Sequence, residues 1–158
     1  MTRDTQLWIM LDIETSGPLI GTHSMTELGA AVGSRKEGVL DRFAALIRPI
    51  GTAVVASEKS FEEAKRNGQE PARALKDFAA WCAPFQKKKA LFIARPAAFD
   101  WPWIVWYAWT TLGENPFGFK ALCASSWFQS RGKKFEVELP HVAVRDAEIQ
   151  LVHFFKEL

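Results

Sequence analysis

A short apolar segment near the start of the chain, residues 7–11 with the sequence LWIML, constrains the fold more than any other feature. Five successive apolar side chains with no polar position between them are typical of a strand that is covered on both faces. Such a strand lies inside a sheet. Asp12 ends the run at once, so the segment is too short for a signal peptide or a membrane helix.

Apolar periodicity and turn residues predict three more strands and four helices along the rest of the chain. The strands are expected at residues 26–33, 39–48 and 90–94, and the helices at 57–67, 71–82, 99–112 and 144–158. Pro102 is tolerable only in the first turn of the third helix. The last helix is expected to place four residues on one apolar stripe: Leu151, Val152, Phe155 and Leu158. This order predicts an α/β fold, a mixed sheet with helices packed on it.

The composition is that of a folded globular chain. With 158 residues, 48% hydrophobic and 24% charged, it is not a disordered polar chain, and we expect a single domain over residues 1–158. A net charge of +2 permits a polyanionic partner but lacks the basicity of a dedicated nucleic-acid coat. Cys82 and Cys123 match no metal-binding or redox spacing, so we expect a reduced, cytoplasmic location.

Acidic residues stand where predicted elements end or begin. Asp12 and Glu14 share one face of the first strand because successive side chains alternate, while Ile13 points to the core. Two carboxylates at the end of a buried strand repel each other and resist desolvation, and a hard divalent cation such as Mg²⁺ or Mn²⁺ relieves both problems. The alternative is that both acids begin a solvated turn.

Two further clusters follow in mid-chain and near the C-terminus. Asp100 comes after the fourth strand, where it either caps the next helix or joins Asp12, since functional groups gather at the carboxyl ends of strands. His141 and Asp146 are five residues apart, which is roughly 140° around a helix, so they diverge on one regular helix. They converge if His141 stays in the loop after Pro140 while Asp146 lies on the helix. The alternative is a surface histidine beside an acid at a helix start.

The order of these clusters resembles the DEDDh exonucleases of the DnaQ-like and RNase T superfamily. That family has D-x-E on the first strand, F-D in mid-chain and H-x4-D near the C-terminus, which appear here as Asp12-Ile-Glu14, Phe99-Asp100 and His141-x4-Asp146. Residues 26–30, TELGA, also resemble a second-strand segment that typically reads E-I-G-A. The resemblance covers nearly the whole chain and implies an RNase H-like mixed β-sheet flanked by α-helices.

The same resemblance implies a 3′→5′ exonuclease that releases nucleoside 5′-monophosphates from the 3′ end of a nucleic acid. Asp12 would bridge two divalent metal ions, Mg²⁺ or Mn²⁺, with Glu14, Asp100 and Asp146 completing their shells. Histidine ordinarily titrates near neutral pH, so His141 is suited to take the proton from the attacking water. The implied partner is single-stranded nucleic acid or a 3′ overhang and not a membrane, and small relatives are often homodimers.

The middle motif departs from the family pattern. Relatives often read H-N-A-x-F-D, whereas residues 95–100 read RPAAFD, so the acid is kept and the His-Asn pair is replaced. Arg95 either meets a phosphate or is a structural arginine. Trp101, beside Asp100, is expected to stack on a base. The resemblance places further residues near the terminal nucleotide: Ile13, Thr15, Ser16 and Phe99. Basic residues before His141 are expected to touch the phosphate backbone: Arg131, Lys133 and Lys134.

Other functions stay open on the sequence. A DNA repair or proofreading exonuclease differs in the sugar that it selects, and no residue can be assigned to a 2′-hydroxyl contact, although RNA is slightly preferred. A non-catalytic nucleic-acid-binding domain is expected to have lost a metal ligand or the histidine, yet all five residues are present. The altered Arg95-Pro96 pair is the one feature that supports this alternative. A metal-independent interaction module requires that four acids fall in this pattern by coincidence.

Overall fold

The computed structural model describes residues 3–158. Within that range lie the strands β1 Trp8–Thr15, β2 Met25–Ser34, β3 Gly38–Leu46, β4 Leu91–Ala94 and β5 Leu122–Cys123. The helices are α1 Glu58–Asn67, α2 Pro71–Lys87, α3 Ala97–Leu112, α4 Ala124–Gln129 and α5 Ala143–Glu157, and a 3₁₀ turn covers Arg3–Thr5. The strands form one mixed sheet in the order β3-β2-β1-β4-β5, which confirms the predicted fold class.

Strand β1 is the central strand of this sheet, as its apolar sequence predicts. It pairs antiparallel with β2 and parallel with β4. The strand continues past its predicted end, because Asp12 pairs with Gly29 and Glu14 with Glu27. Both acids therefore lie inside a paired strand, and the alternative of a solvated turn is wrong.

The side chains of β1 alternate between two cores. Ile9, Leu11 and Ile13 pack on the face that carries the buried residues of α2 and α3. Met10 packs on the opposite face with Leu151 and other buried residues of α5. Because successive side chains alternate, Asp12 and Glu14 point to the same face as Met10, toward α5.

Three details of the helices differ from the predictions. Helix α3 begins at Ala97, so Pro102 lies in its second turn; Ala98 and Pro102 are exposed, and water can bind the carbonyl that loses its helical partner. Helix α2 runs past the predicted end at residue 82 to Lys87. In α5, Val152 is exposed and Phe154 is buried, because the residues facing the sheet follow the line of Ala147 and Leu151.

Two elements, β5 and α4, were absent from the sequence prediction. A strand of two residues and a helix of six are too short to show an apolar period. The boundaries of α1 were predicted correctly: the Ser57 side chain accepts a hydrogen bond from the Ser60 N–H at its start, and Gly68 ends it. None of the helices in residues 3–158 has the length and apolar character needed to cross a membrane.

Candidate active site

The structure brings together the acids and the histidine that the three motifs contain. Glu14, His141 and Asp146 each have one potential metal-ligating atom, and these three atoms lie within 4.8 Å of one another. Asp12 lies next to them, because it precedes Glu14 on the same face of β1 and interacts electrostatically with Asp146. Asp100, in the first turn of α3, interacts electrostatically with Asp12 and Glu14. The four carboxylates and the imidazole thus form one cluster at the end of β1, called the acidic group below.

His141 reaches this group from the loop that precedes α5. Its backbone has φ 56°, a left-handed conformation, and the helix starts two residues later at Ala143. Asp146 lies in the first turn of α5, where its N–H donates to the Val142 carbonyl at 2.9 Å. The predicted division, with the histidine in the loop and the acid on the helix, is confirmed.

The start of α5 rests directly on β2. The N–H of Ala143 donates to Oε2 of Glu27 at 3.2 Å. A Cβ added to Gly29 would lie 2.1 Å from the carbonyl carbon of Ala143 and 2.1 Å from the nitrogen of Val144. Sequence reasoning did not single out Glu27 or Gly29 as site residues, and the TELGA segment is the signal that contained both. These two residues fix the height of α5 above the sheet, and with it His141 and Asp146.

Replacing Gly29 with alanine is expected to displace the start of α5 and to lower the exonuclease activity that the family resemblance implies more than it lowers stability. The added Cβ overlaps backbone atoms that cannot rotate away, which costs about 1–3 kcal/mol. Thermal unfolding and cleavage rate are measured on the same preparations. Gly113→Ala is the matched control, since its φ of 75° costs about 1–2 kcal/mol while its Cβ meets nothing within 4 Å. Equal activity of the two variants would contradict this role of Gly29.

The carboxylates of the group are buried and incompletely paired. Asp12 is 8% exposed, Asp100 3% and Asp146 2%. Oδ2 of Asp100 and Oδ1 of Asp146 have no hydrogen-bond partner within residues 3–158. Buried charged oxygens without partners are costly, and such oxygens are hard ligands that suit a divalent cation. The residues present therefore fit a divalent metal ion.

Burial dominates the titration of these acids. It raises the pKa of Asp12 to about 7, against the hydrogen bond from Gln150 and with help from the charges of Asp146 and Glu14. It raises the pKa of Asp100 to about 8, and the charge of Asp12 adds to the rise. Burial also raises the pKa values of Glu14 and Asp146. Without a cation the site holds more protons than ordinary carboxylates would.

In the absence of metal, the protein is expected to become less stable as the pH rises from about 4 to about 8. The pKa values of Asp12 and Asp100, about 7 and about 8, lie above those of an unfolded chain, so the folded protein binds more protons in this window. This stabilisation is complete below pH ~4 and is lost above pH ~8. We expect the melting temperature in EDTA to be lower at pH 8 than at pH 5.

Two comparisons check the origin of this pH dependence. Adding Mg²⁺ or Mn²⁺ at pH 8 should restore the melting temperature, because a ligand that binds only the folded state stabilises it. The Asp100→Asn variant should show a flatter pH dependence in EDTA, since its amide does not titrate. An unchanged pH profile in this variant would show that other groups cause the effect.

The predicted substrate residues differ in their exposure. Ile13 and Ser16 are buried, and Oγ of Ser16 donates to the Ala53 carbonyl at 2.8 Å. Trp101 is 7% exposed, and its ring lies 4.9 Å from that of Phe92, so stacking on a base would require the ring to leave the core. Thr15 and Phe99 are half-buried, so part of each side chain is accessible to solvent.

The basic residues of the loop before His141 have partners of their own. Lys133 pairs with Glu157 and Lys134 with Glu136, while the Arg131 guanidinium lies 3.6 Å from the centre of the Trp127 ring. These contacts hold the three side chains to the protein surface. The expected contacts to a phosphate backbone would compete with them.

Comparison with known proteins shows which family the chain is related to. No family model matches the chain. The 3′-5′ DNA exonuclease Cap18 of Escherichia coli is 31% identical over 135 residues, which are 81% of this chain and 71% of that protein. The chain belongs to the DEDDh 3′→5′ exonuclease family. It is a 3′→5′ exonuclease that acts on nucleic acid.

Solved structures share the fold of this DEDDh exonuclease. The nuclease domain of 3′hExo, a DEDDh family member bound to rAMP, has a TM-score of 0.58 and 12% identity, over 95% of this chain and 90% of that one. Apo exonuclease I has a TM-score of 0.70 and 10% identity, over 95% of this chain and 41% of that one. The present chain thus spans less than half of the exonuclease I chain. At these identities the likeness shows the fold alone, and it confirms the predicted RNase H-like class.

Proposed function

We propose that this exonuclease removes nucleotides from the 3′ end of single-stranded nucleic acid or a 3′ overhang by a two-metal mechanism. Asp12, Glu14, Asp100 and Asp146 would hold the ions, and His141 would act as the general base. The observation that carries this proposal is the approach of Glu14, His141 and Asp146 to within 4.8 Å of one another beside the two buried aspartates. We further propose that residues 1–158 form one exonuclease domain.

The metal ligands are inferred from charge, burial and missing partners. Mg²⁺ and Mn²⁺ prefer carboxylate oxygens, and four carboxylates meet here. Two bound ions would stabilise charge on both the attacking and the leaving oxygen. Asp12 would contribute to the binding of both ions, because its charge interacts with those of Asp146 and Asp100.

The surroundings of His141 support its proposed role as the general base. Its side chain is exposed, so a proton taken up by an imidazole nitrogen can pass to solvent. The carboxylates of Glu14 and Asp146 interact with it electrostatically and would stabilise the imidazolium formed by that transfer. The same proximity also allows His141 to serve as a metal ligand, and metal-binding measurements on a His141 variant separate the two roles.

Substrate contacts are proposed for three residues at the surface of the site. Thr15 follows Glu14 in the sequence and Phe99 precedes Asp100, and both side chains are half-buried. These two residues would contact the terminal nucleotide. Arg95 is half-buried, its guanidinium lies 4.8 Å from the centre of the Phe135 ring, and its charge acts on Asp12. An arginine held in this way can bind a substrate phosphate on the side of Asp12. This would replace the contacts of the His-Asn pair common in relatives.

The proposal for the preferred sugar rests on the similarity to Cap18, since no contact in the site is assigned to the sugar. Cap18 is named a DNA exonuclease, and this supports DNA as the substrate over the RNA preference drawn from the sequence. The cytoplasmic location and the homodimer expected from the sequence stay predictions.

The test uses 5′-labelled single-stranded RNA and DNA of matched sequence, incubated with the protein in Mg²⁺, Mn²⁺ or EDTA. The expected result is a metal-dependent ladder that shortens from the 3′ end, is absent in Asp12→Ala and is stronger on DNA. A duplex with a 3′ overhang shows where cleavage stops. Cleavage that persists in EDTA would overturn the two-metal proposal, and absence of cleavage by a folded protein would overturn the proposed function itself.

A further inference from the structure

Gln150 is a buried amide that contacts the acidic group from α5. Its exposed fraction is 0%, and its Nε2 donates to Oδ1 of Asp12 at 2.8 Å. It follows Asp146 by four residues, so both side chains lie on the same side of the helix. Helix α5 therefore brings to the site not only Asp146 but also a neutral hydrogen-bond donor directed at Asp12.

A buried glutamine at position 150 lowers the stability of the fold relative to an apolar side chain at the same position. The buried surroundings of Gln150 on α5 include Ala147, Leu151 and Phe154, which pack in an apolar cluster. Its second amide atom, Oε1, has no hydrogen-bond partner within the described residues. Burying an unpaired polar atom is unfavourable, so packing alone does not explain a glutamine here.

We propose that Gln150 is a positioning residue that fixes the orientation of the Asp12 carboxylate for metal binding, an inference that rests on the proposed function. A hydrogen bond to Oδ1 restricts rotation of the carboxylate and leaves free lone pairs on both of its oxygens. Partners that orient a ligating carboxylate typically change metal affinity about 10–100-fold. Gln150 thus acts on the metal through Asp12 and touches neither the reacting atoms nor the substrate.

A merely structural role predicts something different. If the bond between Gln150 and Asp12 only tied α5 to β1, its loss would lower the stability of the metal-free protein and leave the affinity for metal unchanged. Helix α5 has other attachments, including the apolar cluster and the contact between Ala143 and Glu27, so it is expected to remain in place without this bond.

The test compares Gln150→Met with the wild type and with Leu151→Met. Methionine keeps the length of glutamine and removes both polar atoms. Leu151→Met places the same side chain at the adjacent buried position, where no hydrogen bond to Asp12 is lost. The dissociation constant for Mn²⁺ alone is measured by calorimetry, and thermal unfolding in EDTA shows whether each variant folds. We expect Gln150→Met to bind Mn²⁺ about 10–100-fold more weakly, with Leu151→Met close to the wild type.

The outcomes separate this inference from the proposed function. If the wild type binds Mn²⁺ and Gln150→Met binds it equally well, the positioning role is overturned while the metal site stands. If the wild type itself binds no Mn²⁺, the metal site and the inference both fail. Should Gln150→Met not fold, Gln150→Asn replaces it, because its amide is too short to reach Asp12 and the same loss of affinity is expected.

Discussion

Replacing His141 with alanine is expected to lower the rate of cleavage about 10²–10⁴-fold while leaving metal binding intact. The imidazole lies beside Glu14 and Asp146, but four carboxylates remain to hold the ions. Loss of a general base slows the chemical step and not the binding steps. Single-turnover cleavage of a labelled strand measures the former, and calorimetric titration with Mn²⁺ measures the latter.

A second histidine gives the control for this experiment. His153 lies on α5, where its ring stacks on Phe128 at 5.4 Å and meets Phe135 at 4.7 Å, and it does not belong to the cluster of Glu14, His141 and Asp146. His153→Phe keeps an aromatic ring in this position and should cleave like the wild type. Full activity in His141→Ala would refute its role as base, and a large loss of Mn²⁺ affinity would instead assign His141 as a ligand.

Replacing Glu14 with glutamine is expected to weaken metal binding and to lower turnover about 10³-fold or more. Glutamine keeps the shape of the side chain but removes one negative charge from the group that contains Asp12 and Asp146. Metal ions contribute several kcal/mol of charge stabilisation, and each 1.4 kcal/mol corresponds to a tenfold change in rate. Initial rates measured across a range of Mg²⁺ and Mn²⁺ concentrations separate weaker binding from slower chemistry.

Glu27→Gln is the matched control, because Glu27 pairs with Glu14 across the sheet and is also half-buried. Its amide oxygen can still accept the hydrogen bond from Ala143, so this variant should retain most of its activity. Equal losses in the two variants would indicate that any change of charge at this end of the sheet disturbs the fold. Turnover close to the wild type in Glu14→Gln would exclude Glu14 as a metal ligand.

The parts of the site that follow from strand geometry could be predicted from the sequence. Asp12 and Glu14 share a face because strand side chains alternate, and the apolar run before them places the strand inside the sheet. For His141 and Asp146 the sequence provides only a condition: the two converge if His141 stays in the loop while Asp146 lies on the helix. These inferences depend on short distances along the chain, where local geometry determines direction.

The parts that depend on how elements pack could not be predicted. Gln150 looks like an ordinary polar position of a helix until α5 is seen to cross β1, and Glu27 and Gly29 acquire a role only because the start of α5 rests on β2. Trp101 shows the same limit, since its place beside Asp100 in the sequence does not tell which side of α3 faces the core. Tertiary contacts decide each of these cases.

The proposed catalytic group combines residues from both ends of the chain, so it is complete only when α5 has packed on the sheet. The hydrogen bond between Gln150 and Asp12 joins residues 138 positions apart. Contacts between distant residues tend to form late in folding. A chain synthesised only as far as residue 140 has β1 and α3 but neither His141 nor Asp146. On the proposed site, a chain in which α5 has not yet packed on the sheet lacks two of the five residues and is expected not to cleave nucleic acid.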